Sequence, residues 1–82
     1  MDTDRIAVAL RYDPKEADAP FVVAKGKGEI ALKIIEIARE KGIPIVSAPD
    51  IIHDLYRTDI LEEIPHELFE AVAKIIAFVM EL

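Results

Sequence analysis

The segment spanning residues 21–46 constrains the fold more than any other part of the chain. It begins with an apolar run at residues 21–24, which is typical of a strand covered on both faces. Gly26 and Gly28 follow, and then apolar and polar residues repeat with the period of an amphipathic helix. Residues 43–46 predict another strand. A strand, a helix and a strand in this order predict a right-handed βαβ unit with two parallel strands.

The predicted helix over residues 29–41 has two distinct faces. Polar residues recur at spacings of three and four, and an apolar stripe that we expect to be buried lies opposite them. The polar set is Glu29, Lys33, Glu36 and Glu40, and the apolar set is Ile30, Ile34, Ile37 and Ala38. Gly42 stands where a left-handed residue would end the helix.

The remaining elements are shorter. Residues 5–12 alternate with the period of a strand, and residues 13–20 predict a loop, because they are polar and contain two prolines. A short helix is predicted over about residues 49–57, and a final helix from near Pro65 to the C-terminus. We assign the tyrosines and phenylalanines to the core, with Phe78 partly exposed. The predicted fold class is α/β, a single domain over residues 1–82 with a small mixed β-sheet surrounded by about three helices.

The charge and residue types disfavour several functions. A formal net charge of −6 repels nucleic-acid phosphates and anionic membrane surfaces. The chain has no cysteine, which excludes disulfides, thiolate metal sites and a cysteine nucleophile. His53 and His66 have no partner at metal-ligand spacing, and Ser47 lacks the frame of a nucleophile elbow. We therefore expect no catalytic residue, no metal, no cofactor and no insertion into a membrane, and a cytoplasmic location.

One motif matches a nucleotide-binding pattern. Gly26-x-Gly28-x-x-Ala31 lies between a predicted strand and a predicted helix, and Asp50 lies about 20 residues further on. Three strands, however, form only one half of a dinucleotide-binding fold. We favour a structural or partner-binding role for the glycines, and keep a small nucleotide-binding α/β protein as the alternative.

Two lysines flank the first of these glycines. Lys25 and Lys27 lie near the start of a helix, where cations oppose the helix dipole. We interpret them as charges that meet an acidic partner; the alternative is that both are solvated loop lysines.

Several stretches in order carry a family resemblance. They are residues 7–13, residues 19–29 with the run Ala-Lys-Gly-Lys-Gly-Glu, residues 42–46, residues 48–49, residues 55–56, and residues 63–73 with Glu-Ile-Pro-His-Glu-Leu-Phe. Together they resemble the C-terminal cytoplasmic domain of the FlhB/YscU family, the switch proteins of flagellar export and type III secretion. The resemblance implies a mixed sheet surrounded by helices. It also implies that five consecutive residues form a partner-interaction surface: Lys25, Gly26, Lys27, Gly28 and Glu29.

The resemblance also bears on self-cleavage. Members of this family cut themselves within an Asn-Pro-Thr-His motif after the Asn cyclises, which helps to switch export to filament-type substrates. Placed directly before the first strand, the motif falls on Asp2, Thr3, Asp4 and Arg5, and none of them matches. An Asp carboxylate attacks its own backbone carbonyl far less readily than a neutral amide does. We therefore expect a free-standing homologue that does not cleave itself.

The resemblance implies partners as well. They are proteins of the flagellar or type III export apparatus, among them the membrane-bound FlhB N-terminal fragment, the hook-length ruler and export substrates. The expected function is that of a soluble, non-enzymatic interaction module in protein secretion or export substrate switching, held at the membrane export gate by protein contacts. A second hypothesis is that an open sheet edge pairs with the N-terminal fragment of the membrane-bound parent.

Overall fold

Two strands and three α-helices form the part of the chain that the structure, a computed structural model, describes, which is residues 5–80. In chain order they are β1 (Ile6–Arg11), β2 (Phe21–Lys27), α1 (Glu29–Glu40), α2 (Ile52–Tyr56) and α3 (Phe69–Met80), with a 3-10 turn (His66–Leu68) leading into α3. The α/β class predicted from the sequence is confirmed.

The two strands form an antiparallel ladder whose faces differ in side-chain size. A bulge after Ala9 leaves Val23 outside the pairing. Because side chains alternate along a strand, one face carries small residues and the other carries larger ones. The small face holds Ala7, Ala9, Ala24 and Gly26, with Arg11 and Phe21 at one end, and the large face holds Ile6, Val8, Leu10, Val22, Lys25 and Lys27.

Helix α1 covers the small face, and small residues allow it to lie close to both strands. Ala31 is fully buried at this contact. The residues facing the sheet are Ala31, Ile34, Ile35 and Ala38, all buried or half-buried. The predicted buried stripe is therefore wrong for Ile30 and Ile37, which are 59% and 49% exposed. A sheet of two strands is narrower than the apolar surface of the helix, so part of that surface faces outwards.

The main core lies on the other face of the sheet. Its buried members come from the loop before β2, from α2, from the segment before the 3-10 turn, from that turn and from α3: Ala19, Leu55, Ile64, Leu68 and Val72. Val8 and Leu10 of β1 pack against this cluster. The sheet thus lies between α1 on one face and α2 with the buried cluster on the other.

The predicted third strand is wrong, and with it the βαβ unit. Within residues 5–80 the sheet contains only β1 and β2, and residues 43–46 form no ladder. Ile43 and Ile45 are 53% and 49% exposed, and Pro44 has no N–H to donate. An apolar run becomes a strand only where a neighbouring strand edge receives it, and none does so here.

The predicted end of α1 is confirmed. Gly42 has a φ of 69°, its N–H donates to the Arg39 carbonyl (3.2 Å), and the Ile43 N–H donates to the Ala38 carbonyl (2.8 Å). This pair of bonds is the Schellman motif, which satisfies carbonyls that the helix leaves free.

The two later helices follow their predicted patterns with shifted ends. Helix α2 is shorter than predicted, because residues 49–51 form a turn before it. The final helix begins beside Pro65 as predicted, although its first turn is a 3-10 turn. Phe78 is 57% exposed, as predicted. No helix within residues 5–80 has both the length and the apolarity needed to cross a bilayer.

Candidate functional site

The side chain of Lys25 is half-buried and fixed by two hydrogen bonds. Its Nζ donates to the carbonyls of Tyr56 (2.8 Å) and Thr58 (3.1 Å), and it lies 5.1 Å from the centre of the Tyr56 ring. The Tyr56 carbonyl ends α2, where backbone acceptors lack helical partners and carry partial negative charge, and the Thr58 carbonyl follows two residues later. Lys25 therefore caps α2 and joins it to β2.

Lys27 lies on the same side of the sheet but in solvent. Its Nζ is 4.8 Å from the centre of the Tyr56 ring, so both lysines converge on one aromatic side chain. An exposed cation–π contact of this kind is weak. Lys27 and Glu29 are the exposed members of the predicted interaction run, since Lys25 and Gly28 are half-buried and Gly26 is buried.

The glycine motif serves the junction between β2 and α1. A Cβ atom on Gly26 would collide with the Ile30 side chain, so α1 can pack this closely on β2 only if residue 26 has no side chain. Gly28 has φ 58° and ψ −124°, a conformation that side chains disfavour. Nucleotide-binding crevices form at the carboxyl ends of parallel strands, which the antiparallel pair does not provide. The nucleotide-binding alternative is not favoured.

The positions aligned with the cleavage motif lie at and before the first described residue, Arg5. Asp2, Thr3 and Asp4 are outside the described residues. Arg5 is exposed, and its carbonyl accepts a hydrogen bond from the Gly28 N–H (2.9 Å). This bond ties the start of β1 to the start of α1.

An apolar groove of about 290 Å³ lies between α3 and the two ends of the loop that joins β1 and β2. Among the lining residues between positions 5 and 80, Asp18 is the only charged one. The lining consists of Tyr12, Asp18, Ala19, Pro20, Phe69, Ala73, Ile76, Ala77 and Met80. We call this feature the apolar groove.

The apolar groove contains residues that sequence reasoning placed elsewhere. Tyr12 was predicted to be in the core, but β1 ends at Arg11 and the Tyr12 side chain is 45% exposed. Met80 is 80% exposed. Ala73 and Ala77, one turn apart on α3, leave space between larger neighbours. The spacing of four between these two alanines was the sequence signal for a groove along α3.

The residues considered for bond-making chemistry are dispersed. The His66 ring stacks on Phe69 at 4.7 Å between centroids, His53 is exposed on α2, and Ser47 is exposed before it. Across residues 5–80, no cluster of three or more His, Asp or Glu side chains is placed to hold a metal ion. The described surface instead has the apolar groove as a concave feature.

Comparison with known proteins gives a consistent result over nearly the whole chain. The model of the FlhB HrpN YscU SpaS family matches residues 2–79. The flagellar biosynthetic protein FlhB of Aquifex aeolicus is 50% identical over 76 residues, covering 92% of this chain and 22% of that protein. The hypersensitivity response secretion protein HrcU of Ralstonia nicotianae is 45% identical over 76 residues, covering 93% of this chain and 21% of that protein.

The likeness extends to three-dimensional structure. The crystal structure of the cytoplasmic domain of FlhB from Shewanella putrefaciens superposes with a TM-score of 0.91 at 49% identity. The match covers 94% of this chain and 65% of that chain. The chain spans about a fifth of the length of the curated relatives it matches.

Proposed function

Because the chain belongs to the FlhB HrpN YscU SpaS family, we propose that it is a non-enzymatic docking module of a flagellar or type III export apparatus. It works in the cytoplasm, at the membrane export gate, and contributes there to the choice of export substrate. Family membership supports the setting. The apolar groove supports docking as the mechanism.

The apolar groove is the observation that carries this proposal. At about 290 Å³ it is near the small end of ligand pockets, so it fits a few side chains of a protein segment. Its exposed apolar members, Tyr12 and Met80, would be buried by a partner, and burial of apolar surface favours association. We propose that its occupant is an apolar segment of an export substrate, with a basic residue of that segment beside Asp18.

This docking is tested by placing a charge in the apolar groove. Ala73→Glu buries a carboxylate in the contact, and binding to purified rod and hook subunits from the same cell should weaken by about tenfold or more. Phe78→Glu adds the same charge to an exposed position of α3 outside the groove lining, and should leave binding within about twofold. Equal losses in the two variants, or none in either, would contradict the proposal; biolayer interferometry measures both.

Lys27 and Glu29 form a second part of the proposed docking surface. They are the exposed members of residues 25–29, and Lys27 places a positive charge on an otherwise acidic molecule. Lys27→Glu should slow association with an acidic partner, whereas the matched reversal Lys33→Glu on α1 should not. Lys25 is unsuitable for this test, because it caps α2.

A strand-addition role has its own supporting observation. Within residues 5–80, β1 pairs only with β2, so its other edge has unpaired backbone groups that an extended peptide can meet. The proposed occupant is the N-terminal fragment of a membrane-bound FlhB. If mixing the two proteins yields no complex on size-exclusion chromatography, this role is excluded.

We further propose that the chain does not cleave itself, since Asp2, Thr3, Asp4 and Arg5 replace the family motif. Intact-mass spectrometry should detect one species after days at neutral pH. A variant with Asn-Pro-Thr-His at residues 2–5 is the positive control. A shortened chain from the unmodified protein would overturn the proposal.

A further inference from the structure

The loop between α2 and the 3-10 turn exposes two large apolar side chains. Ile60 is 51% exposed and Leu61 is 73% exposed. Leu61 has a φ of 72°, a left-handed conformation that is unfavourable for a leucine. Its N–H donates to the Val22 carbonyl (2.6 Å), so the loop is anchored to β2 while the side chain is presented to solvent.

The same loop borders an acidic concavity of about 500 Å³. Its lining is Asp54, Arg57, Thr58, Glu62, Glu63, Pro65, Glu67 and Leu68. The Arg57 guanidinium lies 3.5 Å from the Asp54 carboxylate. Across residues 5–80, no basic side chain lies within ion-pair distance of Glu62, Glu63 or Glu67. The concavity therefore has negative charge that the described part of the chain leaves uncompensated.

A buried polar atom lies in the wall of this concavity. Thr58 is only 7% exposed, and its Oγ1 has no hydrogen-bond partner in the described part of the molecule. Its carbonyl already accepts from Lys25 (3.1 Å). A buried hydroxyl without a partner is costly, and native proteins rarely retain one without a use.

We propose that the acidic concavity and the adjoining Ile60 and Leu61 bind a basic amphipathic segment of a partner protein. A Lys or Arg side chain of that segment meets the carboxylates of Glu62, Glu63 and Glu67, and a neighbouring apolar side chain packs on Leu61. A small shift of the concavity wall on binding lets an N–H of the segment donate to Thr58 Oγ1, which is buried in the free protein. A metal ion is a poorer occupant, because no group of residues between 5 and 80 has metal-site geometry. This surface and the apolar groove have no described lining residue in common, so the proposed interface is a second and independent one.

The charged half of the interface is tested with a fluorescein-labelled peptide of Lys and Leu at helical spacing, about 12 residues long, at about 150 mM salt. Glu62→Gln with Glu63→Gln should weaken binding about fivefold or more, since both acceptors lose their charge. Glu36→Gln with Glu40→Gln is the matched control: it makes the same change in net charge on the exposed face of α1 and should change binding less than twofold.

The apolar half is tested with Leu61→Gly, which suits the left-handed backbone and so preserves the fold. It should weaken binding about fivefold, whereas Phe78→Ala, at another exposed apolar position, should have little effect. Ala73→Glu separates this interface from the apolar groove, because it should leave peptide binding intact. Equal weakening by the two glutamine pairs, or no binding by the unmodified protein, would overturn the proposal.

Discussion

At the scale of single residues, Gly26 determines how closely α1 approaches the sheet. A Cβ atom there would lie 2.8 Å from Ile30 Cβ, closer than real contacts allow. From the local sequence, Gly26 matched the first glycine of a nucleotide-binding loop. In the structure, a glycine is needed there because any side chain would collide with Ile30. The same motif therefore serves the packing of α1 on β2.

Gly26→Ala should lower the free energy of unfolding by about 1–3 kcal/mol, because α1 must shift away from β2 to admit the methyl group. Urea denaturation followed by circular dichroism measures the loss. Gly42→Ala is the informative comparison: nothing lies within 4 Å of its Cβ, so its cost should be limited to the left-handed backbone, about 1 kcal/mol. A Gly26 variant as stable as the unmodified protein would show that the contact is easily relieved.

At the scale of elements, α2 illustrates how a weak helix depends on its neighbour. Five residues are too few to form a stable helix alone. Lys25 stabilises the helix by donating hydrogen bonds to carbonyls at and just beyond its C-terminal end, which have no donor within the helix. The helix and β2 are therefore expected to lose their order together.

Lys25→Met should remove about 1–3 kcal/mol of stability, since it deletes two charge-assisted hydrogen bonds and leaves the Tyr56 and Thr58 carbonyls unpaired. It should also speed amide hydrogen exchange in α2. Lys27→Met removes the same charge from the same strand but only an exposed ring contact, so about 0.5 kcal/mol is expected. Equal effects of the two substitutions would mean that Lys25 does not cap α2.

At the scale of the whole molecule, the core is one-sided. The buried cluster lies between the large face of the sheet and α2, the 3-10 turn and α3, whereas α1 contributes one fully buried alanine. Val72 is 1% exposed at the centre of this arrangement. Its packing should therefore affect the stability of every element at once.

Val72→Ala should lower the free energy of unfolding by about 2 kcal/mol, from two lost methyl groups and the cavity they leave. The loss should appear as one cooperative transition by circular dichroism and by tyrosine fluorescence. Val23→Ala is the control, because Val23 lies at the bulge and is 38% exposed; its cost should be clearly smaller. Separate transitions by the two probes would show that the core does not couple the elements.

The amino-acid sequence by itself determined the features that depend on near neighbours along the chain. The bounds of α1, its ending at Gly42, the loop over residues 13–20 and the start of the last helix beside Pro65 were all predictable. Periodicity, helix capping and proline act over a few residues, so a local reading is sufficient for them. The family resemblance, confirmed by comparison, likewise rests on runs of sequence.

Only the tertiary structure decided which surfaces are buried and which residues meet. Residues 43–46 have the composition of a strand but no strand edge to pair with, and Ile30 and Ile37 remain exposed because two strands cannot cover α1. Lys25 meets carbonyls 31 and 33 residues away, and the apolar groove joins Tyr12 to Met80. Such contacts depend on where distant segments pack, and the periodicity of one segment carries no information about its distant neighbours.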